Sequence, residues 1–447
     1  MEISIIRTLF LAFFIPSVTN GQSAEDSVLT LKQCIQLSFA NNQKLKQVQL
    51  ETEKSRHKLS EAVSSGLPQI GGIASFDYYF SIPVTMVSGE IAGQPGIMVP
   101  VELGTRYNVN AGIQAGQMIY NASYSSSLQL FKKACEITDL TLQKSKEELA
   151  YNITQLYFFI QITNKQLTLL DSNYSALSKI YGFSDQLYRN GFIRKAEQDR
   201  ITVAMNNLAA EKENLLLIRN QQLNMLKYLV GISLYQDLKL SEELEDLTGF
   251  SNSIDTSFNN QIDNILIEKQ KELAMINLKL SRADKFPSLA GYAVYSYQSP
   301  VEEFDLLGAR ENWYKTSYVG LKLQVPIFEG KRLKSKTSQR KTELAQITAA
   351  QMDLQHELNV RYTNAIHKYT ICKSLESKQS VNNDLSEDIL NITYREYQQG
   401  LKSFTDILNA QSEYNLSTLS WLNSILQIRL AELELLRLSG TLHSLFL

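Results

Sequence analysis

The chain has 447 residues, a formal net charge of −2 and 44% hydrophobic residues, so it can build a large folded structure and carries no charge excess that would attract nucleic acid. Its mean hydropathy is −0.19. Beyond the N-terminus it lacks an apolar run of about eighteen residues, which excludes a bundle of membrane-spanning helices. Cys34, Cys135 and Cys372 lie far apart, and three cysteines cannot all pair, so we expect them to be packing residues.

Residues 1–21 carry the pattern of a secretory signal peptide. Arg7 supplies an early positive charge, the apolar run Leu9–Val18 follows, and a small residue stands at Gly21. The run is shorter than a membrane-spanning helix needs, so we favour cleavage before Gln22 over a retained anchor. The pattern predicts an exported protein.

The next stretch predicts one helix and two strands. The helix, Leu31–Ser65, ends at Gly66-Leu67-Pro68, because proline cannot continue it. Apolar and polar residues then alternate over Gln69–Phe80 and Arg106–Tyr120. This alternation predicts two strands, each long enough to cross a bilayer when tilted. Between them, Ser81–Gly104 contains three prolines and four glycines and predicts an exposed loop.

Each half of the chain also predicts one very long helix. Residues 121–190 contain no proline and one glycine, and apolar side chains recur at alternating spacings of four and three from Leu149 to Tyr181. This period of about 3.5 residues is typical of helices that supercoil against neighbours. At about 1.5 Å per residue the helix would be roughly 100 Å long. Residues 331–399 lack glycine and proline and predict a second such helix.

The second half of the chain repeats the first. A helix ends at Phe286-Pro287, a second β-hairpin is predicted over 287–328, and the second long helix follows. Gly191 and Gly400 lie 209 residues apart, as do Gly231 and Gly440. Several matches at nearly one offset indicate a tandem duplication.

The duplication predicts the domain organisation. The first repeat spans 22–240, with a hairpin at 69–120, a long helix at 121–190 and a shorter helix at 192–230. The second repeat spans 261–447 and ends with a shorter helix at 401–438. A linker at 241–260 joins the repeats. Because the two shorter helices of a repeat together match its long helix, we expect them to stack end to end beside it.

Four strands per chain cannot close a membrane barrel, and an open edge would leave backbone groups unpaired in lipid. We therefore expect several chains to share one barrel. Aromatic residues near the outer strand ends would form its interfacial girdle: Tyr78, Tyr79, Tyr107, Tyr297, Trp313 and Tyr314. A soluble sheet would explain the alternation of the strands but not this girdle.

These features resemble the TolC-like outer-membrane efflux proteins. The resemblance rests on Leu29-Thr30-Leu31 with Asn41-Asn42, on both helix-proline-strand junctions, on Val325–Gly330 and on the turns at Gly191 and Gly400. It implies a mainly α fold with membrane β, in which a homotrimer shares a twelve-stranded β-barrel and a periplasmic α-barrel of coiled-coil helices. It also implies an outer-membrane exit duct for tripartite efflux or type I secretion. A periplasmic adaptor, an inner-membrane pump and outer-membrane lipid would be its partners.

Motifs for other chemistry are absent from the sequence. Gly330-Lys331 lacks the preceding glycine of a phosphate-binding loop, and Val360 stands where a zinc-protease helix starting at His356 would need a second histidine. We therefore expect no enzymatic activity, no metal site and no cofactor. The rival function is a periplasmic coiled-coil scaffold without a pore.

The two glycine turns are the first candidate site. We expect them to form the periplasmic tips that dock the adaptor, although they could be simple helix stops. The residues concerned are Asn190, Gly191, Phe192, Gln399, Gly400 and Leu401.

The second candidate site is a gate that the resemblance implies beside the second turn. Tyr397, Lys402 and Asp406 match the tyrosine, the basic residue and the first aspartate of the family pattern. Asn409 replaces the second aspartate, and Glu197 matches an acidic partner from the first repeat. Lys402 and Asp406 are four residues apart and would share a helix face. Three Asp406 carboxylates around a three-fold axis would favour cations. The alternative is a solvated carboxylate near a helix end.

Overall fold

A computed structural model describes residues 28–90, 93, 95–241, 258–301 and 313–445. The predicted signal peptide and most of the predicted linker at 241–260 lie outside the described residues. No helix within the described part of the chain is both long and apolar enough to cross a membrane.

Each half of the chain contributes helices on both sides of a strand pair. The elements of the first half are α1 Leu31–Asn41, α2 Gln43–Ser64, β1 Gln69–Tyr78, β2 Val84–Ser88, β3 Met98–Glu102, β4 Tyr107–Asn121, α3 Ala122–Arg189 and α4 Lys195–Val230. Those of the second half are α5 Ile262–Ala283, β5 Ser288–Val301, β6 Tyr314–Gln324, α6 Arg332–Gln398, α7 Phe404–Ser439 and a terminal 3₁₀ turn, Leu442–Leu445.

Two helices of 68 and 67 residues, α3 and α6, run the length of the helical part. Helix α3 packs against α2 and α4 on one side and against α5 and α7 on the other, and α5 and α7 also pack against α6. The helices therefore form one layer in the order α2/α4, α3, α5/α7, α6. In that order α6 is one edge of the layer, and α2 with α4 is the other.

The shorter helices stack end to end, as predicted. In the first half, the Asn42 side chain donates to the Leu229 carbonyl at 2.8 Å, joining the start of α2 to the end of α4. Gly231, which ends α4 at φ +79°, lies so close to Asn41 that an added Cβ would stand 2.7 Å from its carbonyl. In the second half, a Cβ on Gly440 would stand 2.2 Å from the carbonyl oxygen of Asn260.

The single helix predicted over Leu31–Ser65 is wrong in one respect, because it breaks at Asn42. This residue leaves the helical region at φ −68° and ψ 118°, and its side chain accepts from the Leu45 amide. A short polar side chain that caps the backbone competes with helix continuation. Because of this break a new helix, α2, begins at Gln43, and the end of α4 meets α2 at this start.

The four main strands form one antiparallel sheet in the order β1-β4-β5-β6. Ile70, Ala115, Ala293 and Val319 lie opposite one another across it, so the apolar residues of all four strands share one face. That face is exposed, and Val319 retains 83% of its accessible surface. The segment 81–104, predicted as a loop, also contains a separate two-stranded ribbon of β2 and β3.

The largest core lies halfway along the helices, where α3 meets α1, α4 and α7. Ile153, Tyr157 and Phe158 of α3 are fully buried there, and the Tyr157 hydroxyl donates to the Leu29 carbonyl at 3.2 Å. Leu29 in turn bridges Leu240, which ties the two ends of the first half together. The three cysteines form no disulfide; Cys34 and Cys372 are buried.

Candidate functional site

The two glycine turns have the same geometry. Gly191 and Gly400 adopt φ +78° and +76°, the left-handed conformation that favours glycine. In the first turn the Phe192 amide donates to the Leu187 carbonyl at 2.9 Å, and the Gly191 amide donates to the Tyr188 carbonyl at 2.9 Å.

The second turn repeats both bonds: Leu401 donates to Glu396, and Gly400 to Tyr397, each at 2.9 Å. This double pattern is a Schellman motif, in which a glycine ends the helix without side-chain strain. Asn190 and Gln399 are the corresponding last residues before the two glycines.

The residues after the two glycines are apolar and exposed. A residue at this position usually packs back on the helix that it follows. Phe192 and Leu401 instead retain 76% and 71% of their accessible surface. A Cβ added to either glycine would meet no atom within 4 Å. The turns therefore present two apolar side chains and open space at the end of the helical layer.

Tyr397 lies half-buried in a small core just above the turns. Its ring packs edge-on against Phe183 of α3 and Phe404 of α7, with centroids 6.4 Å away in both cases. Burial raises the pKa of the Tyr397 hydroxyl, and the nearby charges of Glu197 and Tyr394 add to the effect. The structure thus brings Tyr397 close to Glu197, a candidate residue from the other half of the chain.

Asp406 caps the start of α7. Its Oδ2 atom accepts from the Ser403 amide at 2.8 Å and from the Ser403 hydroxyl at 2.7 Å, while the Ser403 hydroxyl accepts from the Asp406 amide. This reciprocal pair is a capping box, which satisfies donors at a helix start. Hydrogen bonds from the Ser403 side chain and backbone hold the pKa of Asp406 below its usual range, and the charge of Lys402 lowers it further.

The shared helix face predicted for Lys402 and Asp406 is wrong. Helix α7 begins at Phe404 with Ser403 as its N-cap, so Lys402 precedes the helix. The four-residue spacing carries no facing geometry outside a helix. Lys402 and Asn409 are both exposed, and among the described residues Lys402 forms no ion pair.

Sequence reasoning missed the residues that position this site. Ser403 is the partner of Asp406, and the Ser-x-x-acid spacing before an apolar run is a signal that could have identified it. Phe183 and Phe404 enclose Tyr397. The Arg200 guanidinium donates to the Thr405 hydroxyl at 3.2 Å, which links the starts of α4 and α7.

A buried amide cluster lies further along the same helices. The Asn173 side chain of α3 donates to the Asn415 side chain at 2.6 Å, and the Gln411 amide group donates to the Asn173 side chain at 2.8 Å. Buried amides are costly unless paired, so this cluster favours one register of α3 against α7. Within the described residues, no group of histidine, cysteine, aspartate or glutamate side chains could hold a metal ion.

The fold consists of long paired helices that carry a small four-stranded sheet, and comparison with known proteins shows which class it belongs to. Residues 268–441 match the family model described as outer membrane efflux protein. No curated protein matches the sequence significantly.

Solved structures match the whole architecture. The CmeC outer membrane channel of Campylobacter jejuni is 17% identical with a TM-score of 0.75, over 92% of this chain and 85% of that one. The outer membrane protein VceC of Vibrio cholerae is 14% identical with a TM-score of 0.73, over 92% and 96%. The open MtrE channel of Neisseria gonorrhoeae is 16% identical with a TM-score of 0.73, over 92% and 88%.

The chain therefore has the fold of these outer-membrane channels, and residues 268–441 of its second half match the outer membrane efflux protein model. The resemblance drawn from the sequence is confirmed.

Proposed function

We propose that this protein is an outer-membrane exit duct that works as a homotrimer in a tripartite efflux or type I secretion system. The observation that carries the proposal is the four-stranded sheet, whose apolar face is exposed and whose two edge strands have no outer partner among the described residues. Such a sheet is stable in lipid only if its edges pair with other chains. Three copies would supply the twelve strands of one barrel.

The sheet has the residues that a barrel wall needs. Ile70, Ile113 and Val319 are exposed on the face that would meet lipid. At the end of the sheet remote from the helices, Tyr78 lies opposite Tyr107 with ring centroids 5.0 Å apart, and Trp313 and Tyr314 are exposed near the same end. Aromatic residues at this level are typical of the outer interface of a membrane barrel.

The helical layer also has an edge suited to another copy. Exposed apolar residues recur along α6: Ile371, Leu375, Val381, Leu385, Ile389 and Ile392. At the opposite edge, α4 exposes Val203 and Leu217. Contact between these edges in neighbouring copies would bury both sets and close the helices into a periplasmic α-barrel.

We also propose roles for the candidate site residues. The Gly191 and Gly400 turns would be the periplasmic tips that dock an adaptor, which would connect the duct to an inner-membrane pump. Tyr397, Lys402, Asp406, Asn409 and Glu197 would form the gate beside them. The duct would be passive, since the pump supplies the energy.

Conductance of the purified protein in planar lipid bilayers tests the proposal. A duct should give discrete channel openings that depend on the protein. A periplasmic scaffold, the alternative, would give none. The absence of channels from correctly folded protein would contradict the proposed function.

A further inference from the structure

The apolar face of the sheet ends abruptly at a cluster of positive charges. On β6, Val319, Leu321 and Leu323 form an exposed apolar stripe, and Ile327 and Phe328, which follow the strand, are exposed as well. These last two side chains retain 94% and 83% of their accessible surface. Lys331 follows three residues after Phe328, immediately before α6 begins.

The start of α6 is strongly basic. Its first ten residues, 332–341, contain five arginines and lysines and no acidic residue. Three of these pair locally: Arg332 with Glu329, Lys336 with Asp284, and Arg340 with Glu343. The others have no acidic partner within the described parts of the chain.

Lys331 and Lys334 are two exposed lysines of this cluster, and no ion pair with a described residue neutralises either of them. Together with Ser335 and Ser338 they line an open groove of about 680 Å³ on one side of α6. Glu343 also lines this groove, and its carboxylate is paired with Arg340. The groove thus offers two ammonium groups and two hydroxyls beside the end of the apolar stripe.

The corresponding helix of the first half lacks this charge. Helix α3 also follows directly on a strand of the sheet, yet its first ten residues, 122–131, contain no charged residue. The basic start of α6 is therefore not a requirement of the strand-to-helix connection. It points to a ligand that this half of the chain meets at the level where the apolar face ends.

We propose that Ile327, Phe328, Lys331 and Lys334 form a binding surface for anionic phospholipid in the periplasmic leaflet of the outer membrane. Ile327 and Phe328 contact the acyl chains, and the two ammonium groups contact the lipid phosphate. The inference rests on the proposed function, since it places this level of the chain at the membrane surface. Each lysine near an anionic lipid surface strengthens binding about fivefold.

The test uses the full-length trimer reconstituted in an equimolar mixture of phosphatidylglycerol and phosphatidylcholine. After extraction in mild detergent, mass spectrometry measures the ratio of the two lipids retained. Wild type should retain mostly phosphatidylglycerol. The double variant K331Q/K334Q should lower the ratio by about fivefold for each lysine removed. The control K368Q/K378Q, which removes two exposed lysines far along the same helix, should leave it unchanged.

Three results would overturn the inference. One is an unchanged ratio in K331Q/K334Q. Another is dissociation of that variant's trimer even in pure phosphatidylcholine, which would assign the lysines to a contact between copies. The third is that the phosphatidylglycerol enrichment disappears in a buffer of inorganic phosphate but persists in a chloride buffer of equal ionic strength. This result would assign the groove to free phosphate. Failure of the protein to enter lipid at all would instead contradict the proposed function.

Discussion

Asp406 has two separable properties, a capping hydrogen-bond pair and a negative charge. Its carboxylate caps α7 together with Ser403, and the same carboxylate would face the axis of the proposed gate. Asp406→Ala removes both, whereas Ser403→Ala removes the cap and leaves the charge. Loss of a helix cap typically costs about 1 kcal/mol.

We predict that Asp406→Ala lowers the cation preference of the channel and its block by multivalent cations, measured as reversal potential and conductance in planar bilayers. Ser403→Ala should keep the preference at neutral pH, because the carboxylates that attract cations remain. An unchanged preference in Asp406→Ala would contradict the gate, and so would an equal loss in both variants.

The same channel should show a defined pH dependence. A carboxylate with a lowered pKa stays charged above that pKa and loses its charge only as the pH falls through it. Because the Ser403 hydrogen bonds hold the pKa of Asp406 below its usual range, the wild-type channel should keep its cation preference to a lower pH than the Ser403→Ala channel. In Ser403→Ala the loss should begin at higher pH. Identical titration curves would contradict this role of Ser403.

Two glycines with the same backbone conformation provide a matched pair. Gly440 and Gly400 adopt φ +71° and +76°, but a Cβ would stand 2.2 Å from the Asn260 carbonyl oxygen at Gly440 and in open space at Gly400. Gly400→Ala should therefore cost only about 1 kcal/mol of backbone strain. Gly440→Ala adds a clash at the helix stack and should cost several times more. Thermal unfolding measures the loss of stability in both variants, and equal losses would contradict the close packing of Gly440 against Asn260.

For single residues, backbone conformation was easier to predict from the sequence than the surroundings of a side chain. The left-handed glycines and the proline stops follow from local backbone chemistry, which a sequence carries directly. The surroundings of Tyr397 do not, because Phe183 and Phe404 come from two other helices. The helix face predicted for Lys402 was wrong because the predicted helix began at residue 401, whereas the cap at Ser403 makes α7 begin at Phe404.

Among the elements, the turns at Gly191 and Gly400 carry the proposed docking of the adaptor. Their exposed apolar residues, Phe192 and Leu401, have no packing role within the chain described here. We predict that Gly400→Leu leaves the trimer intact but weakens efflux, because a bulky side chain strains the turn and alters the docking surface. Drug accumulation in cells with the cognate pump measures the effect.

Gly400→Ala is the matched control for that experiment. It carries the same left-handed strain without the bulk, so its efflux should stay close to normal. Normal efflux by Gly400→Leu, in the presence of wild-type amounts of trimer, would show that the tips are helix stops and do not dock the adaptor.

Long helices were the easiest elements to predict. The first has a 3.5-residue period and the second lacks glycine and proline throughout, and the bounds of α3 and α6 differ from the prediction by one residue at each end. The shorter helices α4 and α7 begin three residues later than predicted, since only hydrogen bonds in the turns mark their starts. The β2–β3 ribbon was missed because its prolines and glycines outweighed the apolar alternation. Pro100 is tolerated there because both strands are edges.

At the level of the whole molecule, the described chain leaves several apolar surfaces and strand edges uncovered. Two sheet edges, one apolar sheet face and two helix edges are exposed together, and a single symmetric assembly would cover all of them. The alternation of the strands predicted this need for other copies. The order of the helices within the layer could not be derived from sequence, because it depends on which helix faces meet across the duplication.

Semi-native electrophoresis of fractionated cells tests whether three copies close one barrel in the outer membrane. We predict a band of trimeric mass in the outer-membrane fraction that converts to monomer only on boiling, because the shared strands keep the copies together in detergent. Monomer in the soluble periplasmic fraction, unaffected by heating, would contradict the account.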